Sequence, residues 1–100
     1  MKVKSVTSAK MVLEHVTRNG NSIDVEVLVD NDSKKFIKQN VSSISYDVTN
    51  KNLKIQKEGL STTVARAYCQ TINTIPTDRN IQYKDGNKFN LRTKNLVISE

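Results

Sequence analysis

The chain predicts an α+β fold in which antiparallel hairpins precede one main helix. Apolar residues alternate along the first half, turn signals separate the alternating runs, and one apolar stripe in the second half has helical spacing. The chain has 100 residues, the size of one domain. We therefore expect a single domain over residues 1–100, with β-rich hairpins over 1–58 and a helix followed by short elements over 59–100.

The first predicted hairpin lies between residues 10 and 29. Val25, Val27 and Val29 alternate with other residues, which places them on one face of a strand. The run from Lys10 to Thr17 is also compatible with a strand. Between the two runs stands Asn19-Gly20, a strong hairpin signal because both turn residues tolerate positive φ.

A second hairpin is predicted directly downstream. Residues 44–48 alternate, residues 49–52 supply a turn, and residues 53–55 return on one apolar face. Residues 34–38 are a candidate for one more short strand around Phe36. Together these runs predict one sheet of four or five antiparallel strands, with one face covered and one exposed to water.

The main helix is predicted from Thr62 to about Asn73. Gly59 interrupts the preceding strand, Ser61 or Thr62 can serve as N-cap, and Pro76 closes the segment. The predicted buried stripe consists of Leu60, Val64, Ala67, Tyr68, Ile72 and Ile75. Beyond it we expect a brief strand at 80–83, a tight loop at 84–87, one or two helical turns at 91–96 and a final strand at 97–99.

The charge is divided unevenly along the chain. The formal net charge is +6; residues 11–32 carry five acidic residues against one arginine, and residues 33–100 carry twelve Lys and Arg against five acidic residues. A basic segment attracts polyanions, above all nucleic acid. The alternative interpretation is that these charges only keep the surface solvated. The acidic patch consists of Asp24, Glu26, Asp30 and Asp32. It is interpreted as a solvated strand face, with a protein-binding or homodimer surface as the sharper alternative.

Several classes of protein are disfavoured by simple counts. Cys69 is the only cysteine and His15 the only histidine, so a disulfide within the chain and a four-coordinate zinc site are excluded. No apolar run approaches the roughly 20 residues of a membrane span, and residues 1–10 lack a signal-peptide pattern. We expect a cytoplasmic protein with no metal, no cofactor and no membrane partner.

The most specific signal lies near the C-terminus. Residues 80–96 read NIQYKDGNKFNLRTKNL, with Asp85, Gly86 and Asn87 in the turn and with Asn90 and Asn95 after it. This segment resembles the V-x-H-x-D-G-N-x-x-N-N-R-x-x-N-L motif of phage and intron-homing HNH endonucleases. Upstream, residues 64–68 read VARAY and resemble the V-A-x-A-F helix of the same family. The resemblance covers about residues 60–99 and implies a small ββα unit after the helix.

The resemblance also implies what the chain lacks. The family cuts phosphodiesters with a His general base and one divalent metal, and here Tyr83 stands at the position of that His. A phenol has a pKa near ~10 and is a poor base at pH 7. Gln82 stands where an acidic metal ligand is common, and Ser61 stands where the upstream helix carries a His. The resemblance therefore implies a retained scaffold with no catalytic residues, in which Asp85-Gly86-Asn87 forms the turn and Asn95 pins the unit.

The surface around the motif is basic. Candidate phosphate-binding residues are Lys34, Lys35, Lys38, Lys51, Lys54, Arg79, Lys84, Lys88, Arg92 and Lys94. Lys34, Lys35 and Lys38 are expected on or beside the second hairpin. Tyr68 is interpreted as a core residue, whereas Tyr46 and Tyr83 could also stack on bases.

Two functions of different classes remain open. The first is a non-catalytic protein, encoded by a phage or mobile element, that binds duplex DNA with low specificity. The alternative is a small phage-encoded inhibitor that binds a host enzyme or defence protein. An active endonuclease is the third and least favoured hypothesis. For a viral protein the expected location is the cytoplasm of the host cell.

Overall fold

The computed structural model describes residues 1–57, 59–72 and 80–98. It confirms an α+β fold in which sheet predominates. The elements in chain order are β1 (Lys2–Val6), β2 (Lys10–Val16), β3 (Ser22–Leu28), α1 (Asn31–Asn40), β4 (Ile44–Asp47), β5 (Asn52–Lys57), β6 (Leu60–Thr63), α2 (Val64–Ile72), β7 (Ile81–Tyr83) and β8 (Leu96–Ile98). Short 3-10 turns occupy Val41–Ser43 and Thr93–Asn95.

The first hairpin forms as predicted and gains an unpredicted edge strand. Strands β2 and β3 pair antiparallel, and the register places Met11 opposite Val27 and Leu13 opposite Val25, all of them buried. Of the two expected turn residues only Gly20 has positive φ, at 82°. Strand β1 pairs antiparallel with β2 on its other side, with a register shift between Val3 and Ser5.

The predicted short strand around Phe36 is wrong, because residues 31–40 form the helix α1. Asp30 caps this helix: its carboxylate accepts a hydrogen bond from the Ser33 backbone N–H at 2.9 Å, and the Ser33 hydroxyl accepts one from the Asp30 N–H at 3.0 Å. Such a reciprocal capping box favours a helix start. Ser33, Phe36 and Ile37 are buried at helical spacing, so the apolar face of α1 packs on the core.

The second hairpin is β4–β5, as predicted, and its sheet has a third strand that was not. Residues 60–63 form β6 on the other edge of β5, so Ser61 and Thr62 lie in a strand rather than at a helix start. The expected caps are therefore wrong. Thr63 takes that role instead, since its hydroxyl accepts a hydrogen bond from the Arg66 N–H at 3.2 Å.

Helix α2 begins at Val64, two residues later than predicted, and its buried face differs from the predicted stripe. The buried residues are Val64, Ala65, Tyr68 and Cys69, whereas Leu60 is 74% exposed in β6 and Ile72 is 42% exposed at the helix end. Val64 and Tyr68 of the predicted stripe are thus confirmed as buried, whereas its Leu60 belongs to a strand. The predicted helix end near Asn73, and with it Ile75 and Pro76, lies outside the described residues.

The expected single sheet is also wrong: the described strands form three separate antiparallel sheets. Strands β7 and β8 make the third, joined through a loop and the 3-10 turn, so within residues 80–98 the expected ββα unit has a 3-10 turn and no α-helix. One buried cluster joins the halves, since Leu91 and Tyr68 share it with residues of β2, β3 and β5.

Candidate functional site

The loop that joins β7 to β8 is held by a carboxamide network around Asp85. One Asp85 oxygen accepts hydrogen bonds from the Asn87 N–H at 2.9 Å and the Asn95 side-chain amide at 3.0 Å, and the other accepts from the Asn90 amide at 2.8 Å. The Asn95 carbonyl oxygen in turn accepts from the Asp85 N–H at 3.1 Å. Gly86 has the positive φ, 75°, that the predicted turn requires. The turn chemistry expected of Asp85-Gly86-Asn87 and Asn95 is thus present.

This network keeps the Asp85 carboxylate ionised and turned toward its own loop. The hydrogen bonds, first that of the Asn90 side chain, lower the pKa of Asp85 below its ordinary value. Asn90 and Asn95 are themselves buried, with 7% and 8% of their surface exposed. Three protein donors thus occupy most of the roughly four lone-pair sites of the Asp85 carboxylate.

A second junction fastens the same loop to the first half of the chain. The Thr93 N–H donates to the Asp30 carboxylate at 2.6 Å, and the Thr93 hydroxyl lies 2.7 Å from the Tyr68 hydroxyl. The backbone N–H of Leu28 donates to Phe89, and that of Leu91 donates back to Leu28, both at 2.8 Å. The loop is thus hydrogen-bonded to the end of β3, to the cap of α1 and to α2.

Asp30 therefore has a structural role, as helix cap and as acceptor for Thr93, that was not assigned to it from the sequence. Partial burial opposes its ionisation, yet the hydrogen bonds from Ser33 and Thr93 outweigh burial and lower its pKa from 3.8 to about 2. The signal for the cap was the Asp30-x-x-Ser33 spacing, which precedes a helix. No sequence signal marked Thr93 as the distant donor.

The rest of the predicted acidic patch is largely paired within the protein. Asp24 lies 2.8 Å from the ammonium of Lys4, and Glu26 lies 3.0 Å from that of Lys10. With Asp30 serving as a cap, only Asp32 of the four remains exposed with no ion pair among the described residues. The four carboxylates do not form one free acidic surface.

The three positions that the sequence resemblance aligned with HNH catalytic residues lie in two different sheets. Ser61 is exposed on β6 opposite Gln56, whereas Gln82 and Tyr83 are neighbours on β7. Neighbouring residues of a strand point to opposite faces, so Gln82 is exposed while Tyr83 packs against the core. Burial raises the pKa of the Tyr83 phenol above its ordinary value, which keeps it protonated at neutral pH.

The other side chains with catalytic potential do not converge on this place. His15 is half-buried on β2, with its ring 6.0 Å from that of Tyr46, and burial raises the pKa of the Cys69 thiol. In the described part of the chain, no group of three or more His, Cys, Asp or Glu side chains could hold a metal ion.

The tyrosines are mostly packed against other rings. Tyr68 is buried in the core, as predicted, with its ring 5.5 Å from Phe36. Tyr46 is half-buried between His15 and Phe89, whose ring centre lies 6.3 Å from its own. Neither Tyr46 nor Tyr83 presents a fully open face for stacking.

The loop cations, which we define as Lys84, Lys88, Arg92 and Lys94, surround the Asp85 network. The three lysines are exposed and Arg92 is half-buried. Among the described residues none of the four makes an ion pair. No carboxylate of the described residues is therefore in direct contact with any of the four charges.

The other predicted phosphate-binding residues that the structure describes lie on α1 and on the β4–β5 hairpin. Lys34, Lys35 and Lys38 lie on α1, not on or beside the second hairpin as expected, because residues 31–40 are helical. Lys51 stands in the β4–β5 turn with φ of 51°, and Lys54 on β5 lies 4.0 Å from Asp47. Arg79 lies outside the described residues.

No family model, curated protein or solved structure matches this chain. The likeness to HNH endonucleases therefore depends on residues 60–99 alone. Within the described ranges, no helix is long and apolar enough to cross a membrane.

Proposed function

We propose that the chain is a non-catalytic DNA-binding protein of low sequence specificity, built on a degenerate HNH-like scaffold. One observation carries the proposal. The loop cations make no ion pair with described residues, while Asp85, the carboxylate among them, is bound by Asn87, Asn90 and Asn95. Phosphate oxygens are the natural partners for such ammonium and guanidinium groups.

The lysines of α1 extend the same charge. Thr93, beside Lys94, donates to the cap residue Asp30, and the Lys34 N–H donates to the Asp30 carbonyl one turn into the helix. The C-terminal end of the loop is thus joined directly to the start of α1. This continuity supports a binding surface that includes Lys34 as well as Lys94.

The absence of catalysis is part of the proposal. A protonated, half-buried Tyr83 is a poor general base, and the exposed Gln82 offers a metal only a neutral amide. Ser61 lies in another sheet. A scaffold with these three residues can hold a DNA strand through its cations without activating a water.

The salt dependence of DNA binding tests the proposal. We expect the affinity for a fluorescent 30-bp duplex to fall steeply with salt, because each neutralised phosphate releases condensed counterion. The Lys84→Ala/Lys88→Ala variant should reduce the slope of log K against log salt by about 1.8, two contacts at about 0.9 each. Fluorescence anisotropy at several salt concentrations measures both quantities.

The matched control removes two exposed cations of the first half of the chain, Lys2 on β1 and Arg18 in the β2–β3 turn. Lys2→Ala/Arg18→Ala loses the same formal charge and should leave the slope nearly unchanged. Equal slopes for the two variants, or wild-type binding that hardly responds to salt, would contradict the proposed surface. A stable complex with one host protein and no measurable DNA binding would instead support the inhibitor function.

A further inference from the structure

Helix α1 has one exposed face of unusual composition. This α1 face, which we define as Asn31, Lys34, Lys35, Lys38 and Gln39, lines a shallow depression of about 310 Å³. At 100° per residue its five side chains fall within an arc of about 140°. Ser33, Phe36 and Ile37 occupy the buried side. The helix is therefore anchored on one side and presents amide and lysine side chains on the other, with the Asp32 carboxylate at the margin.

The chemistry of the α1 face matches the edges of base pairs as well as phosphates. Lysine ammonium groups donate to guanine O6 and N7 or to phosphates, and side-chain amides such as those of Asn31 and Gln39 pair with adenine N6 and N7. The α1 face makes no ion pair with any described residue. Asp32, the exposed carboxylate of the first turn, lies at the margin of the arc beside Gln39.

The dimensions of α1 also fit a DNA groove. A helix with its side chains is about 10–12 Å wide, close to the ~12 Å width of the B-form major groove. Its 10 residues rise about 15 Å. The major groove of A-form RNA is too deep and narrow for a helix. The geometry therefore favours duplex DNA over duplex RNA.

The loop cations lie where they can contact the backbone beside such a helix. The Thr93–Asp30 hydrogen bond fixes Lys94 and Arg92 near the first turn of α1. Phosphate contacts fix the orientation of a protein on the duplex, whereas base-edge contacts recognise the bases in the groove. The two sets of side chains thus divide these tasks between the loop and the helix.

We propose that α1 enters the major groove of B-form DNA with the α1 face toward the base edges, while the loop cations hold the adjacent phosphates. This inference depends on the proposed DNA binding and adds the groove and the element that enters it. It assigns Asn31 and Gln39 to base contacts and Lys34, Lys35 and Lys38 to base edges or groove-lining phosphates.

Dimethyl sulfate distinguishes the grooves because it methylates guanine N7 in the major groove and adenine N3 in the minor groove. On a 30-bp random-sequence DNA duplex at saturating protein and low salt, we expect guanine N7 to be protected and adenine N3 to stay reactive. The Lys35→Glu/Lys38→Glu variant should bind about tenfold or more weakly and lose the N7 protection. Both lysines are exposed, so the fold should persist, and circular dichroism checks it.

The control Lys2→Glu/Arg18→Glu carries the same charge change on an exposed residue of β1 and one of the β2–β3 turn, and it should keep the N7 protection. Protection of adenine N3 alone, N7 protection that survives in the α1 variant, or equal affinity for an RNA duplex of the same sequence would overturn the inference while DNA binding stands. The absence of binding to any duplex would overturn both the inference and the proposed function.

Discussion

Asp30 is the residue on which the two halves of the chain depend most directly. Its carboxylate accepts from Ser33 at the start of α1 and from Thr93, 63 positions away in the sequence. The sequence placed it in an acidic surface patch because a single carboxylate gives no sign of a distant backbone donor. The capping half of its role was predictable from Asp30-x-x-Ser33; the Thr93 half was not.

Replacing Asp30 should destabilise the protein more than replacing its neighbour. Asp30→Ala removes the cap and leaves the Thr93 N–H without its acceptor, so we expect the free energy of unfolding to fall by about 1–2 kcal/mol. Asp32→Ala removes an exposed carboxylate from the same first turn and should cost about 0.5 kcal/mol. Urea denaturation at pH 7 measures both values, and equal losses would contradict the assigned role.

The contribution of Asp30 should also depend on pH. Its pKa is lowered from 3.8 to about 2 in the folded chain, so the stabilisation is fully present above about pH 5 and is lost as pH falls toward 2. The difference in unfolding free energy between wild type and Asp30→Asn should shrink over that interval, because the amide cannot ionise. A difference that stays constant from pH 6 to pH 2 would count against an ionised Asp30.

At the scale of elements, the loop between β7 and β8 owes its shape to buried amides. The Asn95 side chain contacts the Asp85 backbone, the Asp85 carboxylate and the Asn90 carbonyl. Asn95→Ala should lower the free energy of unfolding by about 1–3 kcal/mol, since it leaves buried partners unsatisfied. It should also accelerate hydrogen exchange of the Asp85 amide.

Asn87→Ala provides the comparison within the same loop. Asn87 is exposed and its side chain accepts one hydrogen bond, from the Phe89 N–H. We expect a loss of about 1 kcal/mol or less and an unchanged exchange rate at Asp85. Similar exchange rates at Asp85 in both variants would mean that Asn95 does not hold the loop.

The elements that the sequence predicted are those with local signals. Alternating valines and Asn19-Gly20 predicted β2–β3, and residues 44–55 predicted β4–β5 for the same reason. Helix α1 was missed because Phe36 and Ile37 among lysines look like a short strand unless the cap is weighed. Strand β6 was missed because Leu60 also fits the spacing of the helix that follows.

The candidate site was predictable only in part, because some of its contacts join residues that are far apart in the sequence. The Asp85-Gly86-Asn87 turn and the pinning role of Asn95 follow from motif spacing. The docking of Phe89 and Leu91 on Leu28 is a tertiary contact that no local pattern encodes. Together with the Thr93–Asp30 hydrogen bond, that contact places the loop beside the start of α1, whose lysines were assigned to a hairpin from the sequence.

At the scale of the whole molecule, ion pairs and hydrogen bonds within the fold engage several carboxylates, which makes the uneven distribution of charge more pronounced. Asp24, Glu26 and Asp47 lie within 4.0 Å of Lys4, Lys10 and Lys54, and Asp30 and Asp85 accept internal hydrogen bonds. The cations of α1 and of the loop remain without described ion pairs. Seven of the sixteen Lys and Arg residues, three on α1 and four in the loop, thus lie on the surface for which we propose DNA binding.

The most direct test of DNA binding without cleavage uses supercoiled plasmid incubated with the protein and Mg²⁺ or Mn²⁺. We predict a retarded plasmid on a native gel that returns to intact supercoiled DNA once the protein is removed. Nicked or linear product that disappears in Tyr83→Phe would contradict the account, as would a plasmid that is not retarded at low salt.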